Sequence, residues 1–322
     1  MKKLFIMGLA AMGLALTACN SDETVEVAKG NAIGFKTFVN NSTRAANDVT
    51  TDGLEAFKVW GLMNKDGQTG TPFVAKDVTK ENGAWSYAPP VYWEKGYAYS
   101  FVALAPNNVY TFTAPTAINT WGSLEFNNGT GETDLIYAAA KQETVAANGC
   151  PAPVNLTFNH MLSRVRFQFE NGMADGSKLT VTDVKINDAY TSGTATLAEQ
   201  LANLSWTPGQ GTGALEFDGA AAMEQNGKAE TAHKYMIPAT KAYNLTFKVT
   251  RVHHGVTDVY NHTVTLPETT MTQGLSYQFV AKFTAENINP DEELCPIQFT
   301  ATVNPWAEFG DNNFNLKSAT NN

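Results

Sequence analysis

The sequence is poor in charged side chains. Asp, Glu, Lys and Arg make up 16% of its 322 residues, against about 25% in an average soluble domain. The 22 Lys and Arg are outnumbered by 31 Asp and Glu, which gives a formal net charge of −9. Phosphate groups are bound by clusters of basic side chains, so this deficit argues against nucleic acid as a partner and against a polybasic membrane-binding patch.

Cysteine is also scarce, with Cys19, Cys150 and Cys295 the three in the chain. The sequence lacks a CxxC motif and any Cys/His set with zinc-site spacing. No metal or other cofactor is therefore expected. In an oxidising compartment Cys150 and Cys295 could form a disulfide, or both could remain buried thiols, and the sequence leaves these alternatives open.

Long apolar runs and extended helical periodicity are missing beyond the N-terminus. After residue 16 no apolar run reaches the ~18 residues of a membrane-spanning helix. The chain instead contains 38 Thr, 29 Asn, 18 Phe and 11 Tyr, a bias that favours strands and turns. From about Leu54 onward, short apolar-polar alternations are separated by Asn-Gly and Asp-Gly dipeptides, which suit tight hairpins. These features predict an all-β protein built from β-sandwiches.

The first 19 residues predict export. Met1-Lys2-Lys3 precedes an apolar run over residues 4–16 and the small pair Thr17-Ala18, which is typical of a secretory signal and too short for a stable membrane span. Leu16-Thr17-Ala18-Cys19 resembles the lipobox of bacterial lipoproteins, in which the signal is cut before the cysteine and the cysteine carries lipid such as palmitate. We therefore expect Cys19 to anchor the protein to the outer membrane at the cell surface. The alternative is an ordinary secretory signal with an incidental cysteine.

The segment from Val154 to Phe169 changes its pattern part-way. Alternate residues are apolar up to Leu162, and the inward-facing parity changes before Val165. One regular strand cannot carry both phases. We interpret the segment as the passage between two domains, with His160 and Ser163 hydrogen-bonded at the kink. A nucleophile–base pair is the alternative, but no third catalytic group or oxyanion signature accompanies these two residues.

Five strings along the chain resemble the fimbrillin, or type V pilin, family of Gram-negative bacteria. They are the lipobox at Cys19, the segment Ser42-Thr43-Arg44-Ala45, Asp134-Leu-Ile-Tyr-Ala138, Phe158-Asn-His-Met-Leu-Ser-Arg-Val165 and Val303-Asn-Pro-Trp306. The resemblance implies two transthyretin-like β-sandwich domains, export as a lipidated precursor, cleavage after Arg44 and before Ala45, and assembly by donor-strand exchange. The implied partners are other pilin subunits, an arginine-specific surface protease and the outer membrane through the lipid. A host or bacterial surface receptor remains open.

A removable strand is predicted in residues 31–40. Ile33, Phe35, Thr37 and Val39 share one face of an extended segment, and we interpret the apolar members, Ile33, Phe35 and Val39, as a plug for the N-terminal domain. The polar segment over residues 40–53 is suited to enter a protease cleft. The predicted organisation is a signal peptide over 1–18, a tether and removable strand over 19–53, and sandwiches over 54–163 and 164–322. The alternative is a permanent tether that is never cut at Arg44.

A second alternating set lies near the C-terminus. Ile297, Phe299, Ala301 and Val303 repeat with the period of the proposed plug and could enter a neighbouring subunit's groove as a donor strand. They could equally complete the protein's own C-terminal domain. In the family, stalk subunits possess a usable donor strand and tip subunits lack one, so the position in a fibre stays open.

Aromatic residues support a second function class, a surface lipoprotein that binds glycans. The aromatics that could form a stacking face are Trp60, Trp85, Trp93, Trp121, Tyr87, Tyr92 and Tyr97. Aromatics in sandwiches also build cores, so this alternative depends on their exposure.

A metal site is a further candidate, formed by His253, His254, Asp258 and His262. These residues lack the spacing of a known ligand motif, which favours their being ordinary residues of a hairpin. Catalysis is not expected.

Overall fold

The computed structural model describes residues 32–40, 48–146, 151–292 and 295–306. In these residues the regular structure is almost entirely β, with two short 3₁₀ turns at Leu201–Asn203 and Pro290–Glu292. No helix in this part of the chain has the length and hydropathy of a membrane span. The all-β prediction is confirmed.

The described residues form 22 strands. The first eleven are β1 (Phe35–Val39), β2 (Ala56–Lys65), β3 (Gln68–Glu81), β4 (Ala84–Ser86), β5 (Ala98–Ala105), β6 (Tyr110–Thr113), β7 (Ser123–Asn127), β8 (Ile136–Gln142), β9 (Val154–His160), β10 (Ser163–Asn171) and β11 (Lys178–Tyr190). The remaining eleven are β12 (Ser192–Thr196), β13 (Ser205–Pro208), β14 (Thr212–Phe217), β15 (Lys228–Glu230), β16 (Lys234–Met236), β17 (Thr240–Lys241), β18 (Asn244–His253), β19 (Val256–Thr265), β20 (Thr269–Thr270), β21 (Leu275–Phe283) and β22 (Phe299–Pro305).

Two of the predicted dipeptide turns connect the first hairpins. Asp66-Gly67 joins β2 to β3 with φ of 50° and 83°, and Asn82-Gly83 joins β3 to β4 with φ of 51° and 79°. Positive φ at both central residues is the type I′ conformation, which matches the twist of the flanking strands. The dipeptides therefore determine where these strands reverse.

The N-terminal half is built on a seven-stranded sheet with the order β1-β9-β8-β5-β2-β3-β4. One of its faces carries the N-terminal core, which includes Phe57, Phe101 and Phe158. Strand β5 is buried on both faces, since Phe101 belongs to the N-terminal core and Val102 and Leu104 belong to a different cluster. Its nearly continuous apolar sequence follows from this double burial.

The C-terminal core lies between two sheets. One has the order β15-β10-β21-β22, with β16 also paired to β10, and the other has the order β14-β11-β18-β19. Phe167 and Phe169 from β10 meet Val181 from β11 and Phe247 from β18 in this core. Two antiparallel-rich sheets enclosing alternate side chains are typical of a sandwich.

The chain passes between these sheets after β9. Val154, Leu156 and Phe158 of β9 belong to the N-terminal core, whereas the apolar residues of β10 belong to the C-terminal core. The intervening Met161 and Leu162 are fully buried in the third cluster, which we call the junction core. The change of parity in the sequence therefore marks a change of sheet.

The junction core connects residues from both sides of the predicted boundary at 163/164. Its sheet has the order β13-β12-β7-β6, in which Leu124 of β7 lies opposite Ala195 of β12. The remaining sheet contains β17 and β20. Division of the chain into two domains at 163/164 stays a prediction.

Candidate functional site

The N-terminal strand β1 forms one edge of the seven-stranded sheet. It pairs in parallel with β9, with Phe35 opposite Val154 and Val39 opposite Phe158. The backbone N–H of Ile33 donates to the Val91 carbonyl at 2.8 Å, and that of Asn40 donates to the Phe158 carbonyl at 2.7 Å. The strand is thus held by hydrogen bonds along its whole length.

One face of β1 is buried in the N-terminal core. Ile33, Phe35 and Val39 are 1%, 7% and 0% exposed, whereas Phe38 on the opposite face is 55% exposed. This division follows the two-residue period of a strand. We call the site occupied by residues 33–40 the β1 groove.

An aromatic socket surrounds Phe35. Its ring centroid lies 5.6 Å from Phe73, 5.8 Å from Tyr87, 5.9 Å from Phe57 and 6.1 Å from Phe101. The edge-to-face arrangement of three of these pairs is the favourable geometry for aromatic rings. Phe35 is therefore the deepest aromatic anchor of β1.

Polar contacts also hold β1 at its middle and at both ends. The Trp85 indole N–H donates to the Thr37 hydroxyl at 3.0 Å. The Tyr87 hydroxyl donates to the Ile33 carbonyl at 2.7 Å, and the Asn40 side-chain amide donates to Asn159 at 3.3 Å. The groove therefore forms hydrogen bonds to Ile33, Thr37 and Asn40. It also buries the side chains of Ile33, Phe35 and Val39.

The segment that follows β1 carries the predicted cleavage site. Arg44 and Ala45 lie outside the described residues, between Asn40 and Asp48. On the far side of this segment, the Val49 N–H donates to the Asp134 carboxylate at 2.8 Å. Both ends of the segment are thus bound to the folded protein.

Asp48 enters a buried polar cluster that we call the junction cluster, formed by Asp48, Asp134, His160, Arg164 and Trp306. Asp48 forms an ion pair with Arg164, and its other carboxylate oxygen accepts a 2.7 Å hydrogen bond from the Tyr235 hydroxyl. Asp134 lies 3.0 Å from Nδ1 of His160. The cluster joins the start of the proposed mature chain to the passage between the sheets.

Trp306 brings the C-terminal end of β22 into the same cluster. Its ring stacks on His160 with centroids 4.3 Å apart, and its carbonyl accepts a 3.0 Å hydrogen bond from Nη2 of Arg164. The Arg164 Nε donates to the Ser276 hydroxyl at 3.0 Å. Arg164 therefore contacts the N-terminal segment, β21 and the residue after β22.

Burial controls the electrostatics of this cluster. Desolvation lowers the pKa of Arg164, while the adjacent Asp48 carboxylate opposes that shift. Desolvation, together with the charges of Asp134 and Asp48, raises the pKa of Tyr235 and keeps its hydroxyl protonated as a donor. The attraction between Asp48 and Arg164 offsets the desolvation cost of burying both charges, whereas removal of one partner would leave the other charge buried and uncompensated, at a cost of about 3–5 kcal/mol.

His160 and Ser163 take part in structural hydrogen bonds at the predicted kink. His160 faces Asp134, and the Ser163 hydroxyl donates to the Thr272 carbonyl at 2.9 Å. The Ser163 bond ties β10 to the loop before β21. Both contacts stabilise the passage between sheets.

The proposed donor segment packs against the C-terminal core of its own chain. Strand β22 pairs antiparallel with β21. Ile297 is buried, and the partly buried Phe299, Ala301 and Val303 pack against the C-terminal core. In this structure these residues complete their own sandwich, which was the alternative to a donor role.

The aromatics considered for glycan stacking are mostly packed inward. Trp85, Tyr87, Trp93 and Tyr97 pack on the N-terminal core, and Trp60 and Trp121 belong to or pack on the junction core. Tyr92 is 41% exposed. These seven residues do not form the exposed face that the glycan-binding alternative requires.

The remaining sequence predictions concern the lipidated Cys19, a disulfide between Cys150 and Cys295, and a metal site at the histidines near residue 255. The first two involve residues outside the described part of the chain. Cys19 and Cys150 lie outside this part, and Cys295 is exposed. Pairing of Cys150 with Cys295 therefore stays a prediction. His253 contacts the Asp175 carbonyl, while His262 stacks on Phe247 with ring centroids 5.0 Å apart. No group of three metal-ligating side chains occurs within the described part of the chain.

The family model of fimbrillin-like proteins matches residues 43–306. The chain belongs to the fimbrillin-like family. The match includes the linker residue Arg44, the junction cluster and β22, while the whole of β1 lies before its start. The resemblance inferred from the five sequence strings is thereby confirmed.

Solved structures show the same fold. A fimbrial protein from Bacteroides vulgatus is 14% identical with a TM-score of 0.63, and the match covers 86% of this fimbrillin-like chain and 99% of that chain. A protein from Bacteroides ovatus, described as a cell adhesion protein, is 15% identical with a TM-score of 0.50, covering 85% and 97% of the two chains. No curated protein matches the chain.

Sequence reasoning missed the central ion pair of this fimbrillin-like protein. Asp48 lies in a polar, unpatterned segment, and Arg164 alternates with inward-facing residues of a strand, so neither has a local signal for burial. Asp134 and Arg164 both occur in strings that carry the family resemblance. Their presence in two of the five family strings was the one available sign that both residues have a structural role.

Proposed function

We propose that this fimbrillin-like protein is a structural subunit or adhesin of a surface fimbria rather than an enzyme. It is exported as a lipoprotein precursor anchored through Cys19, cut after Arg44, and assembled with other subunits by donor-strand exchange. Membership of the fimbrillin-like family supports the fimbrial role. The observation that carries the mechanism is the burial of Ile33, Phe35 and Val39 in a terminal edge strand.

An edge strand at the end of a chain is suited to removal. Its loss would leave unpaired backbone groups along β9 and an empty apolar groove, which an incoming strand can fill. While β1 remains covalently linked, its effective local concentration is about millimolar, and cutting the linker removes this advantage. Cleavage therefore makes the groove accessible to a competing strand.

The distribution of arginines supports cleavage at one position. The sequence contains four arginines: Arg44, Arg164, Arg166 and Arg251. Arg164, Arg166 and Arg251 lie in strands, with side chains 2%, 14% and 21% exposed, and all three form ion pairs. Arg44 lies in the segment that links β1 to the rest of the domain, so an arginine-specific protease would separate the lipid and β1 from the sandwiches.

The test compares Arg44→Ala with Arg251→Ala as a matched loss of one arginine. Mass spectrometry of the surface-associated protein reports whether the N-terminus is lipidated Cys19 or free Ala45, and electron microscopy and size-exclusion chromatography report polymers. We expect Arg44→Ala to remain full length and unassembled, and Arg251→Ala to be cut and assembled. Normal assembly of Arg44→Ala would leave a permanently tethered surface lipoprotein as the better description.

A further inference from the structure

One face of the sheet β13-β12-β7-β6 is open to solvent. Its inner face contributes Leu124, Phe126 and Ala195 to the junction core. The outer side chains form rows across the four strands, because directly paired residues lie on the same face. One row of exposed side chains consists of Thr111, Glu125, Thr194 and Thr207. This row presents three hydroxyls and one carboxylate, with neither a large apolar nor a basic side chain.

A cavity of about 470 Å³ lies on the outer face and spans β6, β7 and β12. We call it the β7 cavity, and its lining includes the side chains of Thr111, Glu125, Asn127, Ser192 and Thr194. Tyr110 and Phe126 also border it, but their rings pack on the junction core at the inner face. Small-molecule sites have volumes of about 300–1,000 Å³, so the β7 cavity has the size of such a site.

The polar groups of the β7 cavity are available to a ligand. Within the described ranges of the chain, the side chains of Thr111, Glu125 and Thr194 form no hydrogen bond or ion pair with another residue. Other strand glutamates differ in this respect, since Glu216 pairs with Lys185. Glu125 therefore offers both oxygens of its carboxylate as free acceptors at the middle of the row.

The cavity has a fixed backbone frame. A Cβ at Gly209 would lie 2.6 Å from Oγ of Ser192, so the absence of a side chain at Gly209 keeps this end open. The Gly209 N–H donates to the Ser192 carbonyl at 2.8 Å. At the same end of β7, the Asn128 amide is buried and donates to the carbonyls of Thr133 and Tyr235 at 3.0 and 3.2 Å. Binding therefore has little left to order in the protein.

The chemistry of the lining selects a neutral ligand rich in hydroxyl groups. None of the described residues that line the cavity is Lys, Arg or His, and Glu125 is the one ionised side chain among them. Phosphate, sulfate and carboxylate groups would meet its negative charge without a compensating cation. Sugar hydroxyls donate as well as accept, so two neighbouring hydroxyls can donate to the two oxygens of Glu125.

A peptide strand is a poorer match for this cavity. Strands β7 and β12 are paired with a neighbouring strand on both sides, so their backbone groups are already hydrogen-bonded. Strand addition needs an open edge, and the part of the cavity around Glu125 and Thr194 has none. The side chains of the outer face, rather than its backbone, therefore determine what binds.

We propose that the β7 cavity binds a short neutral saccharide, with Glu125 as the central hydrogen-bond acceptor and Thr111 and Thr194 on either side of it. This proposal rests on the proposed function for the adhesin role alone, to which it adds a class of ligand. The site lies on a different sheet from the β1 groove and uses none of the aromatics considered for stacking. Binding therefore requires neither cleavage at Arg44 nor strand exchange.

A glycan array tests the class of ligand. Purified, uncut full-length protein is applied to immobilised neutral oligosaccharides of glucose, galactose, mannose, fucose and N-acetylhexosamines, and to sialylated and sulfated derivatives of the same oligosaccharides. We expect binding to at least one neutral oligosaccharide. An acidic group on the bound unit should weaken binding about tenfold, because it would face Glu125. Protein cut after Arg44 should bind equally.

Substitutions test the location of the site, with affinity for the bound neutral oligosaccharide measured by titration calorimetry. Glu125→Gln should weaken binding about five- to fiftyfold, because a charged acceptor becomes a neutral one. Glu81→Gln, on the exposed side of β3, is the matched control and should bind as the wild type. Circular dichroism and urea unfolding check that each variant is folded.

Two threonines of one row form a second matched pair. Thr194→Val keeps the shape of the side chain and removes the hydroxyl, so it should weaken binding about two- to tenfold. Thr207→Val changes the neighbouring residue of the same row, which does not line the cavity, and should leave the affinity unchanged. Both residues are exposed in strands, so neither substitution empties a core.

The outcomes separate this site from the assembly mechanism. The saccharide site is overturned by binding to no neutral oligosaccharide, by a preference for the acidic derivatives, or by equal affinities of Glu125→Gln and wild type, while cleavage and strand exchange stand. Equal losses in Thr194→Val and Thr207→Val would also overturn it, because the cavity would then not be the contact. If Arg44→Ala assembles normally and binds the oligosaccharide with wild-type affinity, the assembly mechanism is wrong and the saccharide site is supported.

Discussion

Asp48 and Arg164 form an ion pair with side chains 0% and 2% exposed. The two residues are separated by 116 positions in the chain. Asp48 lies four residues after Arg44, so a chain that begins at Ala45 would have only three residues before this contact. The ion pair would therefore hold the new N-terminus in the junction cluster after β1 has left.

Loss of Arg164 should destabilise the protein strongly. Arg164→Met leaves the Asp48 carboxylate buried without its main cation, and we expect a loss of about 3–5 kcal/mol in the free energy of unfolding, measured with urea. The double variant Asp48→Leu/Arg164→Met should recover much of this loss. Lys58→Met, which removes a more exposed pair with Asp77, should cost about 0–1 kcal/mol. An equal effect of Lys58→Met and Arg164→Met would contradict the assigned importance of burial.

The two phenylalanines of β1 form a matched pair for testing the plug. Phe35→Ala should lower the free energy of unfolding of the uncut protein by about 3–5 kcal/mol, because it empties the aromatic socket. Phe38→Ala should change it by less than about 0.5 kcal/mol, because its side chain lies largely in solvent. Urea titration of both variants provides the measurement. Similar small effects would show that β1 does not complete the N-terminal core.

Acid should destabilise this protein through His233. Desolvation, followed by the positive charges of Arg164 and Arg166, lowers the pKa of His233 from 6.5 to about 3. The unfolded chain therefore takes up a proton below pH 6.5 that the folded chain does not. The free energy of unfolding should fall by up to about 1.4 kcal/mol per pH unit as the pH drops from 6.5 towards 3.

The contribution of His233 can be isolated by comparing urea unfolding at pH 7.5 and pH 5.5. Burial also lowers the pKa of His262, which acts in the same direction, so His233→Gln should reduce the acid loss without removing it. Both proteins should have the same pH dependence above pH 7. An unchanged loss between the two pH values in His233→Gln would exclude this histidine as the cause.

Cys19 should carry the membrane anchor, because it closes the apolar signal at the lipobox position. We expect Cys19→Ala to abolish incorporation of a radiolabelled fatty acid and surface display, measured by cell fractionation and antibody labelling. Cys295→Ala serves as the control, since its thiol is exposed and lies far from the signal in the sequence. Normal surface display of Cys19→Ala would reject the lipoprotein prediction.

The sequence alone was sufficient to predict the local elements. Two-residue periodicity identified β9, β10 and the buried face of β1, because a strand places alternate side chains on opposite faces. The change of parity after Leu162 identified the passage between sheets.

The tertiary structure decided which distant elements meet. The parallel pairing of β1 with β9, the inclusion of β7 and β12 in one sheet, and the contact of Asp48 with Arg164 all join residues that are far apart in sequence. Strand periodicity specifies a face but not a partner, and burial of a polar side chain depends on the other elements that surround it. The sequence therefore determined the strands and their apolar faces, while only long-range packing determined the groove, the Trp85 contact and the junction cluster.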